Sequence, residues 1–198
     1  MLRFLDTVQR IYLDHNATTP LLPPIIDRMT AVLRDDFGNP SSVHHFGQQA
    51  KGAVDDARSD VAALIGADPS EVLFTSGGTE ADNIAIRGAA EALETTGRKH
   101  LVASAIEHEA VLNTLKALAR RGWRTTLLPV DPSGIVSPGA LREALADDTA
   151  VVSVMHANNE IGVFQPLAEI AAICRERNVL LHSDAVQAAG KVPVDVNR

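Results

Sequence analysis

Four short polar clusters carry the residue types that could do chemistry. They are Thr75-Ser76-Gly77-Gly78-Thr79-Glu80, Ser104-Ala105-Ile106-Glu107-His108, His156-Ala157-Asn158-Asn159-Glu160 and His182-Ser183-Asp184-Ala185-Val186-Gln187. Each follows a short apolar run that reads as a strand. In open α/β sheets, ligands bind outside the carboxyl ends of the strands. The Gly77-Gly78-Thr79 turn lets a backbone approach closely, and the helix after it points free amides at the turn. That chemistry suits one phosphate. It also suits a plain strand-to-helix turn with Thr79 as N-cap. The G-x-G-x-x-G spacing is missing and no Gly-Lys-Ser/Thr follows, which excludes the dinucleotide fingerprint and the P-loop.

Asp184 sits just past an apolar run, where a carboxylate needs a partner. It reads either as a cap or buried ion pair, or as the partner of a protonated ring nitrogen. His108 reads as a solvated residue at a helix start, flanked by Glu107 and Glu109, whose charge suits a helix N-terminus. Its other reading is a ring that stacks on a flat cofactor and moves protons. Asn158 and Asn159 are consistent with turn residues, and Gln187 with a cap or a surface amide. His182-Ser183-Asp184 is not a hydrolytic triad, because neighbours on a strand point to opposite faces. The histidines are scattered with no H-x-x-x-H pair, so no metal site is expected.

The elements that must position these groups alternate regularly. Helices are expected over 24–34, from Ala50 to Ile65 with Gly66 as terminator, and over 79–93, 109–121, 138–145 and 166–177. Strands are expected over 72–74, 101–103, 125–130, 150–155 and 179–181, with a β-turn at Asp131-Pro132-Ser133-Gly134. Short apolar strands alternating with helices imply a mostly parallel sheet flanked by helices, with right-handed crossovers. The 198 residues include 45% hydrophobic and 22% charged residues, ordinary for a globular α/β chain. A net charge of −7 argues against binding nucleic acid through bulk charge. No run spans a bilayer, and Met1 to Tyr12 lacks the pattern of a signal peptide. Cys174 is the one cysteine, so no internal disulfide exists.

The whole set of segments resembles the cysteine desulfurases of the NifS/IscS type, in the class V aminotransferase group of pyridoxal phosphate enzymes. The resemblance rests on Ile11 to Pro20, Phe37 to Ser42, Phe74 to Asn83, Glu107-His108, Met155 to Gly162 and Asp184 to Gly190. It implies the large domain of the fold type I pyridoxal phosphate transferases, here incomplete. Residues 1–20 would be the N-terminal segment that packs with the small domain, and 21–198 the incomplete cofactor domain. It also implies roles. Gly78 and Thr79 hold the cofactor phosphate. His108 stacks on the pyridine ring and assists proton transfer. Asn159 lies near the ring hydroxyl and the substrate carboxylate. Asp184 binds the pyridinium nitrogen, and Gln187 binds the ring hydroxyl. The implied reaction moves sulfur from L-cysteine to an enzyme cysteine and leaves L-alanine, for iron–sulfur or thiolation pathways. Implied partners are L-cysteine, a sulfur-acceptor or scaffold protein and a second copy in a homodimer, with no nucleic acid or membrane and a cytoplasmic location.

The departures from that pattern concern activity. The lysines are Lys51, Lys99, Lys116 and Lys191, and none lies in the Ser-x-His-Lys pattern of the Schiff-base lysine. Cys174 shares a helix with Ile170, Ala171 and Ile173, which suits a buried structural thiol rather than the sulfur nucleophile. The expectation is a front half that binds cofactor weakly and does not turn over cysteine. The alternatives are a selenocysteine lyase, another class V enzyme, a non-catalytic fragment or one chain of a split enzyme. A nucleotide-binding α/β domain is also compatible with the glycine turn, though no ribose or Mg²⁺ pattern supports it.

Overall fold

The computed structural model describes residues 10–197, so the first nine residues of the expected 1–20 segment, and Arg198, lie outside the described residues. The chain divides into two compact units, one up to Ala50 and one from Lys51. In the first, Pro23 opens helix α1 (Pro23–Asp35), where its missing N–H costs nothing. Phe37 and Phe46 stack 5.7 Å apart across the intervening loop. Helix α2 (His45–Ile65) starts in this unit and runs on into the second.

The second unit is a four-stranded parallel sheet with helices on both faces. The strands are β1 (His100–Ser104), β2 (Arg124–Leu128), β3 (Thr149–Ser153) and β4 (Leu180–His182), in the order β2-β1-β3-β4. The helices are α3 (Gly78–Glu94), α4 (Glu109–Ala119), α5 (Pro138–Ala144) and α6 (Leu167–Glu176). Period-two alternation splits the central strands between two cores. Leu101 and Ala103 join Ile86, Val111, Leu115 and Trp123 under α3 and α4. Val102, Val152 and Val154 join Leu141, Ile170 and Ile173 under α5 and α6. Burial on both faces explains why β1 and β3 are buried throughout. Edge strand β2 has mostly exposed residues.

His100 is a fully buried polar residue at the start of β1. Its ring nitrogens meet Thr149 Oγ1 and Thr126 Oγ1, each at 2.9 Å, so one imidazole pins β3 and β2 to β1. Burial, with Arg124 nearby, pushes its pKa down. At the predicted β-turn, Asp131 Oδ1 accepts from the amides of Ser133 and Ile135. Gly134 has φ +82°, a backbone conformation that favours glycine, while the exposed Ile161 side chain that a Cβ would meet is free to turn away.

One expectation needs correction. Val72-Leu73-Phe74 is extended but pairs with no strand among the described residues. A strand exists only with a ladder partner. Instead the Val72 carbonyl accepts from Arg58, whose guanidinium lies 4.9 Å from the Phe74 ring centroid. Just before it, an unanticipated 3-10 turn, Pro69–Glu71, is closed by a capping box. Asp68 accepts from Ser70 and Glu71 reaches back to the Asp68 amide.

Candidate functional site

The polar clusters converge at the carboxyl ends of the strands. Helix α3 is capped by Gly77, not by Thr79 as one reading expected, and Thr79 lies inside the first turn. The reason lies in Glu80, whose carboxylate accepts from the Ser76 amide at 2.6 Å and ties the turn down from within the helix. That bond holds the Glu80 pKa below its ordinary value. Nothing would meet a Cβ at Gly77 within 4 Å, and a Cβ at Gly78 would meet only Val186 Cγ2 at 3.4 Å. The first turn of α3 therefore opens onto clear space beside the loop after β4.

His108 is the N-cap of α4. Its Nδ1 accepts from the Ala110 amide at 3.1 Å, which leaves the proton on Nε2 and fixes the ring with that nitrogen outward. Sequence reading separated a helix-start residue from a ring-stacking one; the cap makes this ring the first. Thr79 and His108 line one groove of about 410 Å³ between α3 and α4, with Asn83, Arg87, Asn113 and Arg120 farther along.

Asp184 is 9% exposed. Its Oδ1 accepts from the Val186 amide at 2.9 Å, which anchors the carboxylate to the loop after β4. Its carbonyl accepts from His156 N–H at 2.8 Å, which joins the loops after β3 and β4. Gln187 is half-buried and takes a hydrogen bond on Oε1 from Lys191 Nζ at 2.6 Å. Asn159, also half-buried, sits in the loop that Asn158 organises. Asn158 Oδ1 accepts from the amides of Glu160 and Ile161, and its Nδ2 donates to the Ile106 carbonyl at 3.0 Å. That last bond draws the Asn159 loop against the turn that carries His108.

Two buried residues escaped sequence reading. Glu107, taken as a helix-start charge, is turned inward and is 5% exposed. Its Oε1 accepts from Ser104 Oγ at 2.5 Å and from the Met155 amide at 2.7 Å. Burial pushes its pKa up to about 7 against those hydrogen bonds. Gln165, also 5% exposed, accepts from the Val136 amide at 2.9 Å and donates to the Gly134 carbonyl at 2.7 Å. The one available signal was negative: a polar residue flanked by Phe164 and Pro166 has no helix face or turn to explain it.

Residues 11–198 match the family described as aminotransferase class-V. The chain belongs to that family. Among class-V relatives, a cysteine desulfurase IscS from Dictyoglomus turgidum is 47% identical over 189 residues, 96% of this chain and 48% of the relative. A solved "NifS-like protein" superposes with a TM-score of 0.92 at 38% identity, over 96% of this chain and 52% of its own. A structure described as "SspA in complex with cysteine" gives 0.90 at 36% identity, over 94% and 53%. The chain thus spans about half the length of the curated relatives it matches. Class-V aminotransferases and cysteine desulfurases depend on pyridoxal phosphate. The donor set here suits such a group: helix amides beside two glycines for a phosphate, and a buried carboxylate for a protonated ring nitrogen.

Cys174 meets its sequence expectation. It is 1% exposed within the α5–α6 core, and burial pushes its pKa up to about 11. A thiol held neutral in this way is a poor nucleophile. Among the described residues no helix is long and apolar enough to cross a membrane.

Proposed function

We propose that this chain supplies the non-covalent half of a pyridoxal phosphate site in a cysteine desulfurase. The observation that carries the reading is the pairing of the open α3 N-terminus with buried Asp184, across the Gly78–Val186 approach. Bound there, the cofactor would supply an electron sink for the α-carbon of L-cysteine. The residues of the chain do the rest. The Gly78 and Thr79 amides bind the phosphate. The Asp184 carboxylate keeps a proton on the ring nitrogen, and an anion there stabilises the protonated ring. The His108 ring covers one face and presents Nε2 for proton movement. Gln187 orients the ring hydroxyl, and Asn159 lies toward the substrate carboxylate.

The reaction proposed is transfer of sulfur from L-cysteine to a protein thiol, leaving L-alanine, in a homodimeric cytoplasmic enzyme that serves iron–sulfur or thiolation chemistry. Support comes from the cysteine desulfurase relatives and from the neighbour solved with cysteine. Neither the Ser-x-His-Lys lysine nor a reactive cysteine lies in these 198 residues. Both must act from outside them.

The test uses pyridoxamine 5′-phosphate, which has no aldehyde and so reports only non-covalent contacts. Fluorescence titration should show binding that Asp184→Asn and Gly78→Glu each weaken about tenfold or more. The chain mixed with pyridoxal 5′-phosphate and L-cysteine should release neither alanine nor sulfide. Binding unaffected by both substitutions, or turnover by the chain alone, would overturn the reading.

A further inference from the structure

Beneath the proposed site lies a set of buried polar groups that it does not use. Glu107, Ser153 and Asp82 are each at most 6% exposed, and half-buried His182 joins them. Ser153 Oγ lies 2.9 Å from His182 Nδ1 and 3.4 Å from Glu107 Oε2. His182 Nε2 lies 3.4 Å from Asp82 Oδ1. The groups come from the β1 turn, the end of β3, the end of β4 and α3. They therefore join every element that carries a proposed cofactor contact: Glu107 precedes His108, His182 precedes Asp184 by two residues, and Asp82 is one turn after Thr79.

We propose that Glu107, Ser153, His182 and Asp82 form one hydrogen-bonded line that shares a single mobile proton, with Glu107 as a positioning residue for His108 and Asp184. This deepens, and rests on, the reading of Asp184 as the ring-nitrogen partner. The hydrogen count supports one mobile proton. Glu107 Oε1 already accepts two donors, so a proton on the acid sits on Oε2 and is given to Ser153 Oγ. Ser153 then gives its own proton to His182 Nδ1, whose Nε2–H faces the Asp82 carboxylate. In the other state the proton has left Oε2, Ser153 has passed one on, and His182 carries protons on both nitrogens. Nothing is gained or lost overall: a neutral acid and a neutral imidazole become a carboxylate and an imidazolium.

The charged groups facing Glu107 are His182 and Asp184 from the β4 end, with Asp82 behind His182 on α3. His182 favours the ionised acid and Asp184 opposes it. A neutral Glu107 leaves Asp184 as the anion nearest the ring, which the proposed cofactor requires. The line thereby offers a way to keep one negative charge at that point while a proton moves behind it.

The test needs no activity. In the cofactor-free chain, the carboxyl carbon of Glu107 and the ring nitrogens of His182 are followed by NMR between pH 5 and pH 9. Signals are assigned against Glu107→Gln and His182→Gln. The expected result is one step near neutrality in the Glu107 carbon, with a matching step in the His182 ring. In Glu107→Gln the His182 step should shift, because the ring then faces Asp82 and a neutral amide, although the amide still accepts on Oε1 and donates from Nε2 toward Ser153. Pyridoxamine 5′-phosphate affinity should fall about tenfold in Glu107→Ala and be recovered in Glu107→Gln. A His182 step unchanged by Glu107→Gln, or a Glu107 carbon that titrates in the ordinary carboxyl range, overturns the line. Failure of Asp184→Asn to weaken cofactor-analogue binding overturns the functional reading instead, because the NMR steps do not depend on it.

Discussion

Replacing Gln165 by leucine tests how the strand-end loops are held. The swap keeps the side chain's approximate bulk but deletes both of its polar contacts. The Val136 amide loses an acceptor at 2.9 Å, and the Gly134 carbonyl loses a donor at 2.7 Å. Both contacts are buried, and leaving such a group unpaired costs about 1–3 kcal/mol. Two of them give about 2–6 kcal/mol, with ~3 kcal/mol a reasonable centre, since burying an amide carries its own cost in the native chain. For a chain of this size that corresponds to a melting point lowered by about 6–12 °C. Trp123, the lone tryptophan, is 4% exposed, so its fluorescence reports the loss of packing directly. Gln165→Glu should be nearly as damaging, because its second carboxylate oxygen would face the Gly134 carbonyl. A shift below about 2 °C for Gln165→Leu would refute the claim that this amide is the bridge between the two loops.

Glu107 makes stability depend on pH. The folded chain keeps its proton up to about pH 7, whereas the ordinary carboxyl value is 4.5. Folding therefore takes up a proton between those values. Stability is highest below that window, falls by ~3 kcal/mol as pH rises through it, and stays low above it. Urea melts of Glu107→Gln should lack this fall, and a wild-type stability that rises from pH 5 to pH 7 would contradict the assignment. At position 108, asparagine should keep the helix cap while alanine costs about 1 kcal/mol. Both should weaken pyridoxamine 5′-phosphate binding, because both remove the ring; binding equal to wild type in His108→Asn would count against stacking. Cys174 should resist a thiol reagent at pH 8 in the folded chain and react once urea opens the α5–α6 core, read as thiol equivalents per chain.

The sheet and most of its helices were legible in the sequence because burial on two faces gives β1 and β3 short apolar centres. Val72–Phe74 shows the limit of that signal. It has a strand's composition, but a strand is a relation between two segments, and no local pattern says whether a partner exists. The gathering of the polar clusters was legible by position, since groups after the parallel strands β1, β3 and β4 had to meet at one edge. The supports beneath it were not. Glu107 sits between Ile106 and His108 and has the charge of an ordinary helix start; only the Met155 amide and Ser104 hydroxyl turn it inward. Gln165 and the Asp82–His182 pair depend in the same way on neighbours distant in the chain. The capping role of His108 was hidden for a different reason, because histidine is not among the usual capping residues.

The strand order has a consequence for how the chain is made. β1 pairs with β2 on one side and with β3 on the other, although β2 comes first in the chain. From the synthesis of Leu128 to that of Ser153, a further 25 residues, β1 has only one neighbour. At ~5–20 residues per second that lasts about one to five seconds. During it Val102 has no α5–α6 core to enter, and the Glu107 carboxyl has no Met155 amide. A strand buried throughout in the folded chain is thus, for those seconds on the ribosome, an exposed edge.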